Sequence, residues 1–287
     1  VRGALSDANL TFDDIDGIAV TSGPGLICGV IVGLLEAKGM ALAAQCPLIA
    51  VNHLEGHALT ARLTDGVSFP YLLLLVSGGH SQLLLVEGLG VYEKLGGTID
   101  DAVGEAFDKT AKLMGLGFPG GPALEQTAKS GDAARYTLPH PMKGREGYDL
   151  SFSGLKTAVR THLVKELAAN GHLSDQVKAD MAAAFQETVG NVLANRIGKA
   201  MEHVKDRLGA TPQLVVAGGV AANQALRSRL NTLTEELGYT LIVPPPKLCT
   251  DNAVMIAWAG AERLHAGQQD PLDTAPRARW PLADLTL

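Results

Sequence analysis

Cysteine and aromatic side chains are both scarce in this chain, and each scarcity removes a class of explanation. There are three cysteines, Cys28, Cys46 and Cys249, with no CxxC pair among them. That spacing suggests neither a structural zinc knot nor a disulfide framework, and its simple reading is a reduced, intracellular setting. Aromatics make up 5% of the residues and charged side chains 19%, with a formal net charge of −6. Such a chain has no global basic field with which to hold a nucleic acid, so that task would fall to local patches or to a partner. Uninterrupted apolar runs such as Tyr71–Val76 are too short to cross a bilayer. An initiating methionine is lacking as well: Val1–Ala4 reads as the tail of a helix, and the sequence reads as an N-terminally truncated fragment.

What is present is glycine, 33 residues of it, and a hydrophobic share of 46% over 287 residues. That mixture predicts an ordered α/β protein with many tight turns, as one large domain or two lobes. Short apolar runs alternate with helical periods. Strands are predicted at Ile15–Thr21, Leu48–Val51, Phe69–Val76, Ser81–Glu87, Leu214–Ala217 and Thr240–Val243. Helices are predicted at Ile27–Ala44, Leu54–Leu63, Asp100–Met114, Ala123–Lys129, Gly154–Leu167, Ser174–Leu208, Ala222–Leu237 and Asp251–Leu264. Ser77-Gly78-Gly79-His80 is a hairpin signal. Arg135–Ser153 is polar and rich in proline and glycine, and it reads as a long surface loop of the kind that is uncommon and often functional.

Two constellations carry chemistry. In Asn52-His53-Leu54-Glu55-Gly56-His57 two histidines stand four residues apart, on one face of a helix that follows a buried strand. An isolated HxxxH is more often a pair of ordinary surface or core histidines. A zinc-peptidase reading needs the glutamate directly after the first histidine. Glu55 comes two residues after His53, ~200° around the axis, and points away from the metal face. A third ligand is offered by Cys249-Thr250-Asp251-Asn252, where Asp251 or Thr250 serves equally well as a helix N-cap. With both histidines, Asp251 would complete a set suited to iron or zinc.

The second constellation is three glycine turns: Ser77-Gly78-Gly79-His80, Gly120-Gly121 and Ala217-Gly218-Gly219. Each permits close approach of a phosphate, and the last points a helix N-terminus at a potential anion. No GxGxxG follows a first strand and no GxxxxGK[ST] occurs, so Rossmann and P-loop readings lack support. Asp101, Glu105 and Asp108 share a helix face that is either merely solvated or, with Glu125, offers a carboxylate to a ribose. Lys143, Arg145, Lys156, Arg160, Arg277 and Arg279 form small basic clusters, normal for a surface and usable by a flexible RNA.

Taken in order, Ser22–Gly25, His53–His57, Leu75–His80, Asp100–Lys109, Ser151–Lys156, Ala217–Asn223 and Cys249–Asn252 resemble the motifs of the TsaD (Gcp, Kae) family. These are tRNA N6-adenosine threonylcarbamoyltransferases of bacterial or organellar type. The resemblance runs almost end to end. It implies an actin-like ATPase (ASKHA) fold of two ribonuclease-H-like lobes around a nucleotide cleft. The first lobe would be residues 1–67 and the second 68–287, with a helical insertion at about 97–210. The family's opening hairpin, with its Asp-Glu-Thr phosphate motif, has no counterpart here, so the first lobe is expected to be incomplete.

Carried over by position, the resemblance implies metal ligands at His53, His57 and Asp251. Substrate and nucleotide contacts fall on Leu75, Val76, Ser77, Gly78, Gly79, Asp108, Gly121, Glu125 and Asn223. It further implies one divalent metal per subunit, iron or zinc, threonylcarbamoyl-AMP as donor and AMP or ATP in the cleft. The implied partners are tRNA, a smaller actin-like subunit, an accessory ATPase and an upstream adenylate-forming enzyme. The implied setting is cytoplasmic, or mitochondrial for an organellar member, with no membrane. A non-catalytic actin-like scaffold, a sugar-kinase-like phosphotransferase and a metallopeptidase are the competing readings.

Overall fold

The computed structural model describes residues 1–285 as two compact units. One unit is Val1–Val67 with Glu87–Tyr92 and the segment from Asp251 on, and the other is Ser68–Val86 with Glu93–Thr250. The C-terminal segment groups with the first unit, although the sequence division ran the second lobe to the end of the chain.

The first unit opens with helix α1 (Arg2–Ala8). Strand β1 (Ile18–Gly23) lies parallel to β2 (Leu48–Asn52), joined by helix α2 (Ile27–Ala44). Val30, Leu34, Ala37 and Ala41 of α2 are buried, the last three in a cluster with Leu48, against which Ile18 and Val20 pack. Val32, Leu35 and Leu42 on its other side are exposed. Among the described residues α2 is the one helix long and apolar enough to cross a membrane, although only 22% of that window is buried. Counting uninterrupted runs overlooked it, because Glu36 and Lys38 break the run while the average stays apolar. Helix α3 (His53–Asp65) follows β2 without a gap.

The second unit is built on a mixed five-stranded sheet. Strands β3 (Tyr71–Val76), β4 (Ser81–Gly88) and β5 (Val91–Gly97) form an antiparallel meander, with Leu73 opposite Leu84. Helices α4 (Val103–Met114), α5 (Gly120–Ala128), α6 (Ser153–Asn170) and α7 (Asp175–Val204) come next. Strand β6 (Gln213–Ala217) then inserts parallel beside β3, and helix α8 (Gln224–Leu237) leads to β7 (Thr240–Ile242). The order β5-β4-β3-β6-β7 places the Leu-rich β3 centrally, buried on both faces, as its unbroken apolar run demands. Gly218 sits at φ 96° after β6, and a side chain there would collide with the Val76 carbonyl. A short turn, α9 (Pro246–Cys249), ends this unit, and α10 (Ala253–His265) belongs to the first.

The sequence missed β5, whose Val91-Tyr92-Glu93-Lys94 alternation is short and ends in Gly96-Gly97. It also began α4 too early: Asp100 and Asp101 precede the helix. Asp100 instead accepts from the Phe152 and Ser153 amides (2.8 and 3.3 Å) and from the Ser151 and Ser153 hydroxyls (2.6 and 2.8 Å). Helix α6 has no side-chain cap of its own, so this carboxylate caps it from a distance. Burial would push the Asp100 pKa up, but the Ser151, Phe152 and Ser153 hydrogen bonds hold it below its ordinary value. Replacing Asp100 by Ala should lower the midpoint of urea unfolding by the equivalent of about 1 kcal/mol. Asp100→Asn, which keeps an acceptor, should lose less.

Candidate metal centre and ligand turns

The histidine pair owes its placement to an asparagine. Asn52, buried at the end of β2, caps α3 by accepting from the Leu54 amide (2.9 Å) and donates to the Trp280 carbonyl (2.9 Å). The helix therefore begins at His53, and His57 stands one turn on, with ring centroids 4.9 Å apart and planes at 87°. A second asparagine acts the same way on α10: Asn252 accepts from the Met255 amide (2.9 Å). The cap role open to Asp251 or Thr250 is thus taken by their neighbour, and Asp251 is left ahead of the helix. Its Oδ1 lies 3.1 Å from His57 Nε2 and 3.3 Å from His53 Nε2.

All three ligand atoms fall within 4.8 Å of one another. For ligands 2.0–2.1 Å from one tetrahedral ion the edge is ~3.3 Å, so two imidazoles and this carboxylate fit a single divalent metal. His57 is buried, His53 partly so, and the Asp251 side chain is 77% exposed, which leaves one side open for a substrate ligand. Beside the triad lies an open depression of about 1220 Å³, lined by His53, Asp251 and Asn252 together with apolar residues of β1, α2 and α10.

Glu55 faces the other way, as its helical phase predicts. It is fully buried and accepts from Arg263 of α10 (2.5 and 3.0 Å) and from the Tyr92 hydroxyl (2.9 Å). Arg263 also donates to Gln268 (2.6 Å), and Arg62 pairs with Glu262 (2.7 and 2.9 Å). Between Glu55 and His57, Gly56 lets α10 approach: a Cβ there would stand 2.9 Å from Ile256 and 3.2 Å from Met255. A peptidase base at Glu55 is excluded, because its carboxylate is committed to Arg263.

The nucleotide candidates all lie in the second unit. Leu75 and Val76 are interior β3 residues in register with Gln82 and Ser81 of β4, and the turn after them is closed by Ser77 and His80. Val76 abuts Gly218, and Ser77 and Gly78 abut Gly104 of α4. Asp108 of α4 accepts from the Gly120 amide (2.9 Å), beside Gly121. Glu125 accepts from the Gln224 amide (2.7 Å), next to Asn223. Asn223 caps α8 through the Leu226 amide (2.9 Å) and donates to Gln186 (2.9 Å).

The helix expected from Ala222 starts at Gln224. A 3-10 turn, Gly219–Ala222, intervenes, and the first amide of α8 already serves Glu125. Gly78, Gly79 and Gly121 are informative in the opposite sense. None has positive φ, and a Cβ on any of them would meet no protein atom within 4 Å. The protein itself does not require glycine at these three positions, and open space lies beside each of them.

Sequence reasoning missed Asn52, Asn252, Tyr92 and Arg263. The two asparagines were findable, since each directly precedes a helical period and Asn is a preferred N-cap. Nothing local in the sequence pairs Glu55 with Arg263.

The TsaD family model, described as tRNA N6-adenosine threonylcarbamoyltransferase, matches residues 1–258. Proteins of that name from Brucella anthropi and Brucella ovis are each 59% identical over 284 residues, 98% of this chain and 78% of theirs. Among solved structures, HypF of T. kodakarensis aligns with a TM-score of 0.61 at 16% identity, over 93% of this chain and 43% of that one. Full-length HypF in its phosphate- and nucleotide-bound form gives 0.54 at 13% identity, over 80% and 38%. At such identities the likeness shows the fold alone, and the fold is the actin-like ATPase type that the motifs implied.

Removing one partner of a buried ion pair leaves the other charge stranded. Arg263→Met should therefore cost about 3–5 kcal/mol in chemical denaturation, and the double variant Glu55→Gln with Arg263→Met should recover part of that loss.

Proposed function

The chain belongs to the TsaD family of tRNA N6-adenosine threonylcarbamoyltransferases, and from that membership we propose how its own residues divide the work of the transfer. It is an acyltransferase of threonylcarbamoyladenosine synthesis in tRNA. The bond formed joins the N6 amine of a tRNA adenosine to the carbonyl carbon of the threonylcarbamoyl group. The donor in this proposal is threonylcarbamoyl-AMP, so AMP departs as the amine adds and N6 gives up a proton. The acceptor is the adenosine 3′ of the anticodon in tRNAs that read codons beginning with A.

The observation that carries the site assignment is the convergence of His53, His57 and Asp251. These three would hold one divalent metal, iron or zinc, which when bound polarises a carbamoyl or phosphate oxygen as a Lewis acid. Asn52 and Asn252 preset the ligands by fixing where α3 and α10 begin. The turn at Ser77, Gly78 and Gly79 is proposed to take the phosphate of AMP, or of ATP in the same place, held by the rigid end of β3 at Leu75 and Val76. Gly121 gives close approach, and Asp108, Glu125 and Asn223 receive the ribose. The open space beside Gly78, Gly79 and Gly121 supports this assignment. Orientation of amine and carbonyl supplies much of the acceleration, since the N6 amine is a poor nucleophile.

A smaller actin-like subunit, an accessory ATPase and an upstream adenylate-forming enzyme complete the proposal, in the cytoplasm or, for an organellar member, the mitochondrion. The uncovered apolar side of α2 supports a protein partner. A scaffold or a sugar-kinase-like phosphotransferase would have no use for three converging metal ligands.

The test combines metal content with transfer of labelled threonine to unmodified tRNA, with donor-forming enzyme and partners supplied. His57→Ala should lose bound metal and at least ~100-fold in transfer together, the size of effect typical of removing electrostatic stabilisation. Full transfer by a metal-free variant would overturn the assignment.

A further inference from the structure

Residues 129–152 form neither helix nor named strand, yet the segment is tied down along its length. At one end Arg135 pairs with the buried Asp180 (2.7 Å), and at the other Asp100 holds Ser151–Ser153. The middle is organised by a single side chain. Arg196 of α7, almost wholly buried, donates to the carbonyls of Met142 (3.2 Å), Arg145 (2.8 Å), Glu146 (3.0 Å) and Gly147. Lys199 adds a bond to the Arg145 carbonyl (3.2 Å). Met142, Gly144 and Gly147 all take positive φ, which turns the chain around that guanidinium.

The consequence is electrostatic. A cation satisfied by carbonyls keeps its charge, whereas one satisfied by a carboxylate loses most of its outward field. Among the described residues Lys143, Arg145, Arg196 and Lys199 make no ion pair. Glu146 and Asp149 in the segment's middle keep their charges too, Asp149 accepting from the Gly97 amide (3.0 Å) and acting on Arg196, so the four cations exceed these two carboxylates by two. Lys143 and Arg145 are exposed. Asn191, Asn195 and Lys199 follow at four-residue intervals on α7 and so share one face. His140, Pro141 and Lys143 join Asn191, Val192 and Asn195 around a depression of about 210 Å³.

A preshaped loop that offers cations, an imidazole and amide side chains from a chain of net charge −6 suits a polyanion better than a peptide. We propose that residues 140–147, with the Asn191–Lys199 face of α7, dock the sugar-phosphate backbone of tRNA. Lys143 and Arg145 meet phosphates, and the Asn195 amide meets a sugar or phosphate oxygen, while Asn191 is held by Glu187 (3.2 Å) and Arg229 at the edge of the face. This rests on the reading that the chain acts on tRNA, and it names the surface that does the holding. Arg196 is a positioning residue: it never reaches the RNA, but it sets the loop's shape.

The double variant Lys143→Ala with Arg145→Ala changes only exposed side chains, so folding should be unaltered by thermal melting. It should raise the KM for tRNA about tenfold, leave the donor KM and the kcat at saturating tRNA unchanged, and reduce the slope of log affinity against log salt by about 1–2. Arg196→Met should weaken tRNA binding to a similar degree, with bound metal retained. An unchanged tRNA KM and salt slope in the double variant would overturn the proposal while leaving the transferase reading intact. If the unaltered chain with its partners transfers nothing, that reading fails instead, and direct titration of tRNA against both variants still decides the loop. Competition by polyglutamate as strong as by tRNA would assign the surface to acidic peptide and overturn the proposal too.

Discussion

Helices α3 and α10 are held face to face by Glu55 and Arg263, and almost everything of interest in the first unit depends on that contact. Two charges taken out of water repay their desolvation only when every lone pair and proton finds a partner. Here Arg263 binds both carboxylate oxygens, Tyr92 adds a third donor, and Gln268 takes the remaining side of the guanidinium. Such a set tolerates little sliding. A displacement of α10 by one turn, about 5.4 Å, would separate Asp251 from both histidines. Gly56 keeps the same contact close, because a Cβ there would crowd the Ile256 and Met255 side chains of α10. The ion pair and the metal triad are two readings of one helix register.

How much of this was legible in the sequence depends on range. Features that repeat locally were plain: the four-residue spacing of His53 and His57, the apolar run of β3, the turn at Ser77–His80 and the full extent of α2. Asp251 was legible as a chemical type but ambiguous in role, since ligand and helix cap call for the same side chain. The neighbouring Asn252 resolves the ambiguity by capping. What could not be read was long-range identity. Glu55 and Arg263 are 208 positions apart, and no periodicity links a carboxylate to a guanidinium at that distance. Strand β5 failed for another reason: half of its residues face solvent and it closes in two glycines, so its pattern is weak.

In the second unit carboxylates end helices from a distance. Asp100 serves the start of α6, Asp108 the start of α5, and Glu125 the start of α8. Neither α5 nor α6 carries a side-chain cap of its own, so each orphaned N-terminal amide turns to another part of the chain. Asp108 and Glu125 are also the residues offered to a ribose. On that proposal an arriving hydroxyl would find acceptors already oriented by the Gly120 and Gln224 amides.

The triad also has a consequence in time. Its ligands lie 194 residues apart, and the whole of the second unit is threaded between them. During synthesis His53 and His57 leave the ribosome early and wait, while Asp251 and Arg263 arrive only near the end. The first unit cannot close until the second has been made, and the long loop adds only slowly to the entropy of closure. Because an inserted unit can fold while its host is still incomplete, an ion held by these three residues would be a seal set last, on a molecule whose other half is already finished.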